Sequence, residues 1–169
     1  PFLVPHRYVC YLQKFEALKI YQVQEYGLLE YHHELVQSQY FLISDLNPLK
    51  DIQILVPMQR GVLGTKNINN ELQKILNPQK RKLIYGEMEF RPGDRVMQIR
   101  NNYDKRVFNG DIGWVVGIDE EMRQMLVDFD GSELVYDMGD MDELVLAYAI
   151  TIHKSQGSEY PVVLAPFTM

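Results

Sequence analysis

The densest run of ligand-capable side chains is Thr151-Ile152-His153-Lys154-Ser155-Gln156-Gly157-Ser158-Glu159. Hydroxyl, amide and ammonium donors suit phosphate and sugar oxygens, and a glycine lets backbone come close to a ligand. The run is wedged between two apolar stretches, Leu144 to Ile150 and Val162 to Pro166. A polar loop at the ends of buried strands is where an open α/β sheet holds its ligand. The same composition also describes a surface loop that only solvates its own backbone. A second isolated candidate is Arg60, in the glycine-bearing loop Met58-Gln59-Arg60-Gly61-Val62-Leu63-Gly64. Metal chemistry is not expected, because His6, His32, His33 and His153 show no ligand spacing with Cys or carboxylates. Nucleophilic catalysis at Cys10 or Ser155 lacks a matched base and a third group.

These loops need strands to carry them. Asp51 to Pro57 is rich in β-branched residues and closed by proline, which reads as an interior strand. Ile68, Leu72, Ile75 and Leu76 keep helical spacing, with Thr65 or Asn67 as the cap and Asn77-Pro78 as the stop. Strand, loop and helix in this order make an α/β layer. Leu144 to Ile150 reads as one strand buried on both faces, as in a parallel sheet, and Val162 to Pro166 as another. Upstream, Tyr8, Leu12 and Phe15, then Leu18, Tyr21 and Val23, follow helical spacing, so the first forty residues are expected to be helical with a break at Gly27. Tyr40 to Ile43 reads as a short strand or extended segment.

From about Phe90 the apolar period changes to two. Arg95 to Arg100, Trp114 to Ile118, Met125 to Phe129 and Leu134 to Tyr136 are strand candidates, with Trp114, Val116 and Ile118 expected on one inner face and Met125, Val127 and Phe129 likewise. Pro92-Gly93-Asp94, Asn109-Gly110 and Asp130-Gly131 supply the turns. Short strands with turns at such intervals predict a small SH3-like barrel, inserted so that its ends return to a host sheet.

The chain has 169 residues, 46% hydrophobic and 24% charged, values typical of a soluble globular protein and unlike a disordered one. Its longest apolar run is far short of the roughly twenty residues that span a bilayer. A lone Cys10 suggests a reducing compartment, and a cytoplasmic location is expected. The start at Pro1, without a basic and then apolar leader, suggests a segment of something longer rather than a secreted chain. Net charge is -6 but unevenly spread: Gln79 to Arg106 holds eight bases against four acids, and Asp119 to Glu143 holds ten acids and one base. The first region offers phosphate a favourable local field; two solvated faces are the plainer reading.

Three ordered segments resemble superfamily 1 helicases of the RecD/TraA type, the group that includes the exodeoxyribonuclease V alpha subunit. AYAITIHKSQGSEYPVVL resembles motif V, PMQRGVLGTKNINNELQ resembles the motif IV region, and FRPGDRVMQIRNNYDKRVFNGDIGWVVGID resembles the inserted SH3-like domain. The resemblance implies part of a RecA-like motor domain: residues 1–50 as its helical N-terminal segment, 51–86 and 144–169 as domain 2A, and 87–143 as the inserted barrel. Arg60 then stands where an arginine reaches the nucleotide's γ-phosphate, Gly157 and Glu159 near the nucleotide, and Thr151, His153, Lys154, Ser155 and Gln156 on the single-stranded DNA backbone. In the barrel, Arg95, Arg100, Asn101, Asn102, Tyr103, Lys105 and Arg106 form a basic, amide-rich and aromatic cluster. Arg100, Asn102, Tyr103 and Arg106 become DNA contacts, with Tyr103 or Phe108 stacking on bases, unless these aromatics pack the barrel instead.

No glycine loop ending in Gly-Lys-Ser or Gly-Lys-Thr occurs, and no paired-acid strand for magnesium. The chain is therefore expected to hold half of an ATP site and to be inactive alone. The whole parent is expected to use ATP and Mg2+ to move 5′ to 3′ along single-stranded DNA, joined to a missing N-terminal motor domain, with nuclease-complex subunits as further candidate partners and no membrane. The rival reading is a stand-alone SH3-like protein-interaction module.

Overall fold

The computed structural model of the chain describes residues 8–14, 17–23, 47–57 and 64–168. Arg60 and the Tyr40 to Ile43 segment lie outside the described residues. The chain divides into two units, one formed by residues up to Glu71 together with Ala149 onward, the other by Leu72–Tyr148. The second unit is thus a continuous insertion in the sequence of the first.

The first unit is built on a five-stranded sheet: β1 (Tyr8–Lys14), β2 (Ala17–Val23) and β3 (Ile52–Val56), then β11 (Ala149–Thr151) and β12 (Val162–Thr168), in the order β11-β3-β12-β1-β2. Its ordering is mixed rather than purely parallel. β3 runs parallel to both β11 and β12, whereas β1 is antiparallel to β12 and to β2. Helix was expected across residues 8–23, and strands are found there. The segment is rich in Tyr, Val and Ile, which favour strands, and its apolar spacing did not choose between the two states until β12 supplied a pairing edge.

Asn47 caps a short helix, α1 (Pro48–Asp51), its side chain accepting from the Leu49 and Lys50 amides at 2.9 and 3.3 Å while Asp51 accepts from the Asn47 amide. The chain then enters β3, whose Ile52, Ile54 and Val56 are buried with Val162 and Leu164 of β12. Helix α2 (Thr65–Leu76) buries Ile68 and Leu72 and stops at Asn77-Pro78, as its punctuation predicted.

The second unit contains the hairpin β4 (Leu83–Tyr85) and β5 (Met88–Phe90). It also contains a five-stranded antiparallel sheet of β6 (Arg95–Gln98), β7 (Ile112–Asp119), β8 (Gln124–Phe129), β9 (Ser132–Tyr136) and β10 (Leu144–Leu146), in the order β10-β6-β7-β8-β9. The predicted turns hold Gly93, Gly110 and Gly131 at positive φ, where glycine carries no steric penalty. Met125, Val127 and Phe129 face inward as expected. The β7 expectation fails midway. A bulge between Val115 and Gly117 shifts the phase, so Val115 is buried (1% exposed) and Val116 is not (47%), while Ile118 is again inside. Trp114 consequently stands on the outer face, half-buried, with the Arg95 guanidinium 5.8 Å from its ring.

Leu144 to Ile150 is also not one strand. Leu144–Leu146 pairs with β6 in the second unit, Ala147 and Tyr148 turn, and Ala149–Thr151 pairs with β3 in the first. Continuous burial made the run look like one element; hydrogen-bonding partners divide it.

Candidate nucleotide and nucleic-acid contacts

Thr151, the last residue of β11, is paired in parallel register with Val56, the last residue of β3. The chains leaving these strands therefore start from the same sheet edge, at carboxyl ends, where ligands of open α/β sheets are held. After Thr151 the backbone winds into a 3-10 turn, Ile152–Ser155, in which the Ser155 hydroxyl donates to the Ile152 carbonyl at 2.8 Å and the Ser158 amide to the Ser155 carbonyl at 3.1 Å. The turn exposes His153 and Gln156 and half-buries Lys154. Gly157 follows with φ +86°, and a Cβ built there meets nothing within 4 Å. Its glycine serves the backbone angle and leaves open space. Glu159 is exposed. Thr151 alone of the set is buried, by its place in the strand.

One contact fixes this loop's departure point. Asn69, buried on α2, donates from Nδ2 to the Ala149 carbonyl and accepts at Oδ1 from the Ala149 amide, both at 2.8 Å. Among the described strands β11 is an edge strand, and a side-chain amide here supplies the pairing a further strand would have given. Asn69 and Gln73 on α2, and Asn77 directly after it, recur every four residues and are all buried. The four-residue spacing of these amides is visible in the sequence, but the apolar Ile68 and Leu72 beside them carry the same helical period.

In the second unit Gln73 and Asn77 reach Asp94. Its carboxylate accepts from Gln73 Nε2, from Asn77 Nδ2 at 2.6 Å, from the Tyr148 hydroxyl at 2.8 Å and from the Arg91 amide at 2.7 Å. Burial pushes Asp94 above the usual carboxylate range, and the four donors oppose that rise. Burial, then the Asp94 charge, raises the Tyr148 hydroxyl well above its ordinary value, so it stays a neutral donor.

The basic aromatic cluster sits on the turn between β6 and β7, pinched by an antiparallel bridge of Asn102 with Val107. Tyr103 is 74% exposed and Phe108 46%, with their rings edge-on at 6.1 Å. Neither ring packs into the core, the alternative expected for them. Arg106 is exposed with φ 56°, and no ion pair among the described residues engages it. Arg100 pairs with Asp142 at 2.7 Å, and Lys105 with Asp140 at 2.9 Å. Asn102 is occupied internally: its Nδ2 donates to Glu143 at 3.0 Å and its Oδ1 accepts from the Lys105 amide. Arg95, grouped with this cluster from the sequence, is only 4% exposed, its guanidinium lying by the Trp114 ring. Beneath the turn, Gln98 donates to Glu143 at 2.7 Å and accepts from the Tyr136 hydroxyl at 2.9 Å. Burial, then Glu143, Asp140 and Asp111, keep Tyr136 protonated by raising its pKa. Among the described residues, no three His, Cys, Asp or Glu side chains converge as metal ligands, and no helix is long and apolar enough to cross a membrane.

Residues 68–129 match the family described as the ATP-dependent RecD-like DNA helicase SH3 domain, and residues 146–169 match the UvrD-like helicase C-terminal domain. The chain is 37% identical over 123 residues to the ATP-dependent RecD2 DNA helicase of Deinococcus radiodurans, covering 73% of this chain and 17% of that protein. It is 28% identical over 114 residues to the RecBCD enzyme subunit RecD of Mycolicibacterium smegmatis, covering 68% and 20%. Among solved structures it is similar to the Pif1 helicase from Bacteroides in complex with ADP-AlF3 and single-stranded DNA, at TM-score 0.46 and 20% identity, covering 84% of this chain and 43% of that one. An α/β unit ending in the UvrD-like signature, with the SH3-matching unit inserted in its sequence, defines part of a helicase motor. The chain belongs to the RecD-like helicase family. It spans about a fifth or less of the length of these two curated relatives.

Proposed function

We propose that this chain is the part of an ATP-dependent 5′-to-3′ DNA helicase that contributes one side of the ATP site and part of the single-stranded DNA track. The observation that carries the reading is the Thr151 to Val56 register, which starts the loops of Arg60 and of Thr151 to Glu159 from one sheet edge. Residues 51–86 and 144–169 are assigned to motor domain 2A, residues 87–143 to the SH3-like barrel, and residues 1–50 to the same motor domain.

The donor set of the loop fits a nucleotide. Gly157 has open space on its Cα side, and Glu159 is free to accept from a ribose hydroxyl. Hydrolysis of bound ATP would supply the free energy for strand movement. Arg60 would neutralise charge at the γ-phosphate, a role worth about a thousandfold or more in rate. Mg2+ would be held by the remainder of the motor in the full-length parent. His153, Lys154, Ser155 and Gln156 would hold DNA phosphates through N–H and O–H donors, with Thr151 setting where that turn begins. In the barrel, Tyr103 would stack on a base while Arg106 and Arg100 meet phosphate.

Fluorescence anisotropy with labelled oligothymidine tests the track. Binding should weaken steadily as salt rises, and Tyr103→Ala should weaken it about fivefold or more. Salt-insensitive binding, or none at low ionic strength, sinks the reading. In the full-length parent, Arg60→Ala should abolish ATP turnover while leaving oligothymidine binding in place.

A further inference from the structure

The outer face of the β7-β8-β9 sheet differs in chemistry from the basic turn. Val116 and Val135 are each about half exposed (47% and 51%), and Leu126 lies between them, opposite Val135 on one side and Gly117 on the other. Acids flank this apolar strip. In the neighbouring row Asp128 stands directly opposite Glu133, a like-charge pairing that costs free energy in a sheet. Asp119 lies beyond the strip at the end of β7, and Asp137 follows β9. Among the described residues Arg81 approaches Glu120, at 3.6 Å. No ion pair among the described residues engages Asp119, Asp128, Glu133 or Asp137.

The strip ends at an open edge, because β9 pairs with β8 alone among the described strands. Phe129 and Ser132 close the two-residue turn Asp130-Gly131, whose φ values are 50° and 89°. The closing pair of such a hairpin exchanges both hydrogen bonds, so the alternate residues Glu133 and Val135 turn their N–H and C=O groups outward. An edge of this kind accepts another strand.

We propose that this edge docks an extended segment of a partner protein, added beside β9, whose every second residue is a Lys or Arg facing Glu133 and Asp137 and an apolar residue facing Val135. The ammonium or guanidinium groups relieve the Asp128 to Glu133 repulsion, and the apolar residue covers Val135 and Leu126. The same acids repel phosphate, which separates this face from the nucleic-acid contacts on the β6 to β7 turn.

The probe is an N-acetylated, C-amidated peptide of sequence Thr-Lys-Thr-Val-Thr-Lys-Thr, with a control in which both Lys are Glu, titrated into the intact chain and followed by amide NMR and hydrogen exchange. The Lys peptide should slow exchange at Glu133 and Val135, and the Glu peptide should bind at least about tenfold more weakly. Val135→Lys, tolerated on an exposed edge, should reduce Lys-peptide binding similarly. Equal binding of the two peptides, or unchanged β9 amides, overturns the proposal. Protection of the same amides by rising protein concentration alone would assign the edge to a second copy of the chain instead. Protection by an oligonucleotide would assign it to nucleic acid.

Discussion

The carboxamide of Asn69 pairs with both backbone groups of Ala149, each at 2.8 Å, and so finishes the outer side of the strand that leads into the polar loop. Asn69→Ala leaves a buried amide and carbonyl unpaired, which should cost about 2–3 kcal/mol. Asn69→Asp should be at least as costly, because it keeps the acceptor but loses the donor and buries a charge. Urea denaturation of the variants checks the magnitude. Hydrogen exchange at Ala149 should accelerate in both.

Asp94 gathers donors from Gln73, Asn77, Arg91 and Tyr148, so both chain ends of the inserted unit meet on one carboxylate. Asp94→Ala leaves these four buried neutral donors without their acceptor and should destabilise this unit by about 3 kcal/mol or more. Tyr148→Phe, which removes one donor of the four, should cost only about 1–2 kcal/mol. A thermal melt in which the two variants are equally mild would show that the network is not the closure.

Gly113 has room for no side chain. A Cβ there would lie 2.8 Å from the Phe129 ring and 2.9 Å from Val127, both buried. Gly113→Ala should destabilise by about 1–3 kcal/mol through overpacking. Pairing it with Phe129→Leu, which draws back the ring, should recover part of the loss in a double-mutant cycle.

Glu89 is held below its ordinary value. Burial opposes its ionisation, but hydrogen bonds from Lys82 and Arg91 and their positive charges outweigh it. Its folded pKa is depressed, so its contribution is present above the ordinary carboxylate value and is lost as pH falls through the depressed one. The side chain is partly exposed, and the contribution should be under about 1 kcal/mol. The urea midpoint should therefore fall slightly further between about pH 7 and about pH 3 in wild type than in Glu89→Gln.

The sequence by itself determined what is local. Asp130-Gly131 and Asn109-Gly110 set positive-φ turns, Met125, Val127 and Phe129 chose an inner face by alternation, and Asn77-Pro78 stopped α2, because each depends on the torsions of a few adjacent residues. The loop from Thr151 to Glu159 was legible for the same reason, as donors concentrated between apolar runs. Pairing was decided only in three dimensions. The Tyr8 to Val23 segment became strands beside β12, Leu144 to Ile150 was divided between two sheets, and the bulge after Val115 turned Val116 outward. Asn69 and Asp94 acquired their roles in the same way, since hydrogen-bond partners 80 and 54 residues distant satisfy groups whose need for them is invisible along the chain.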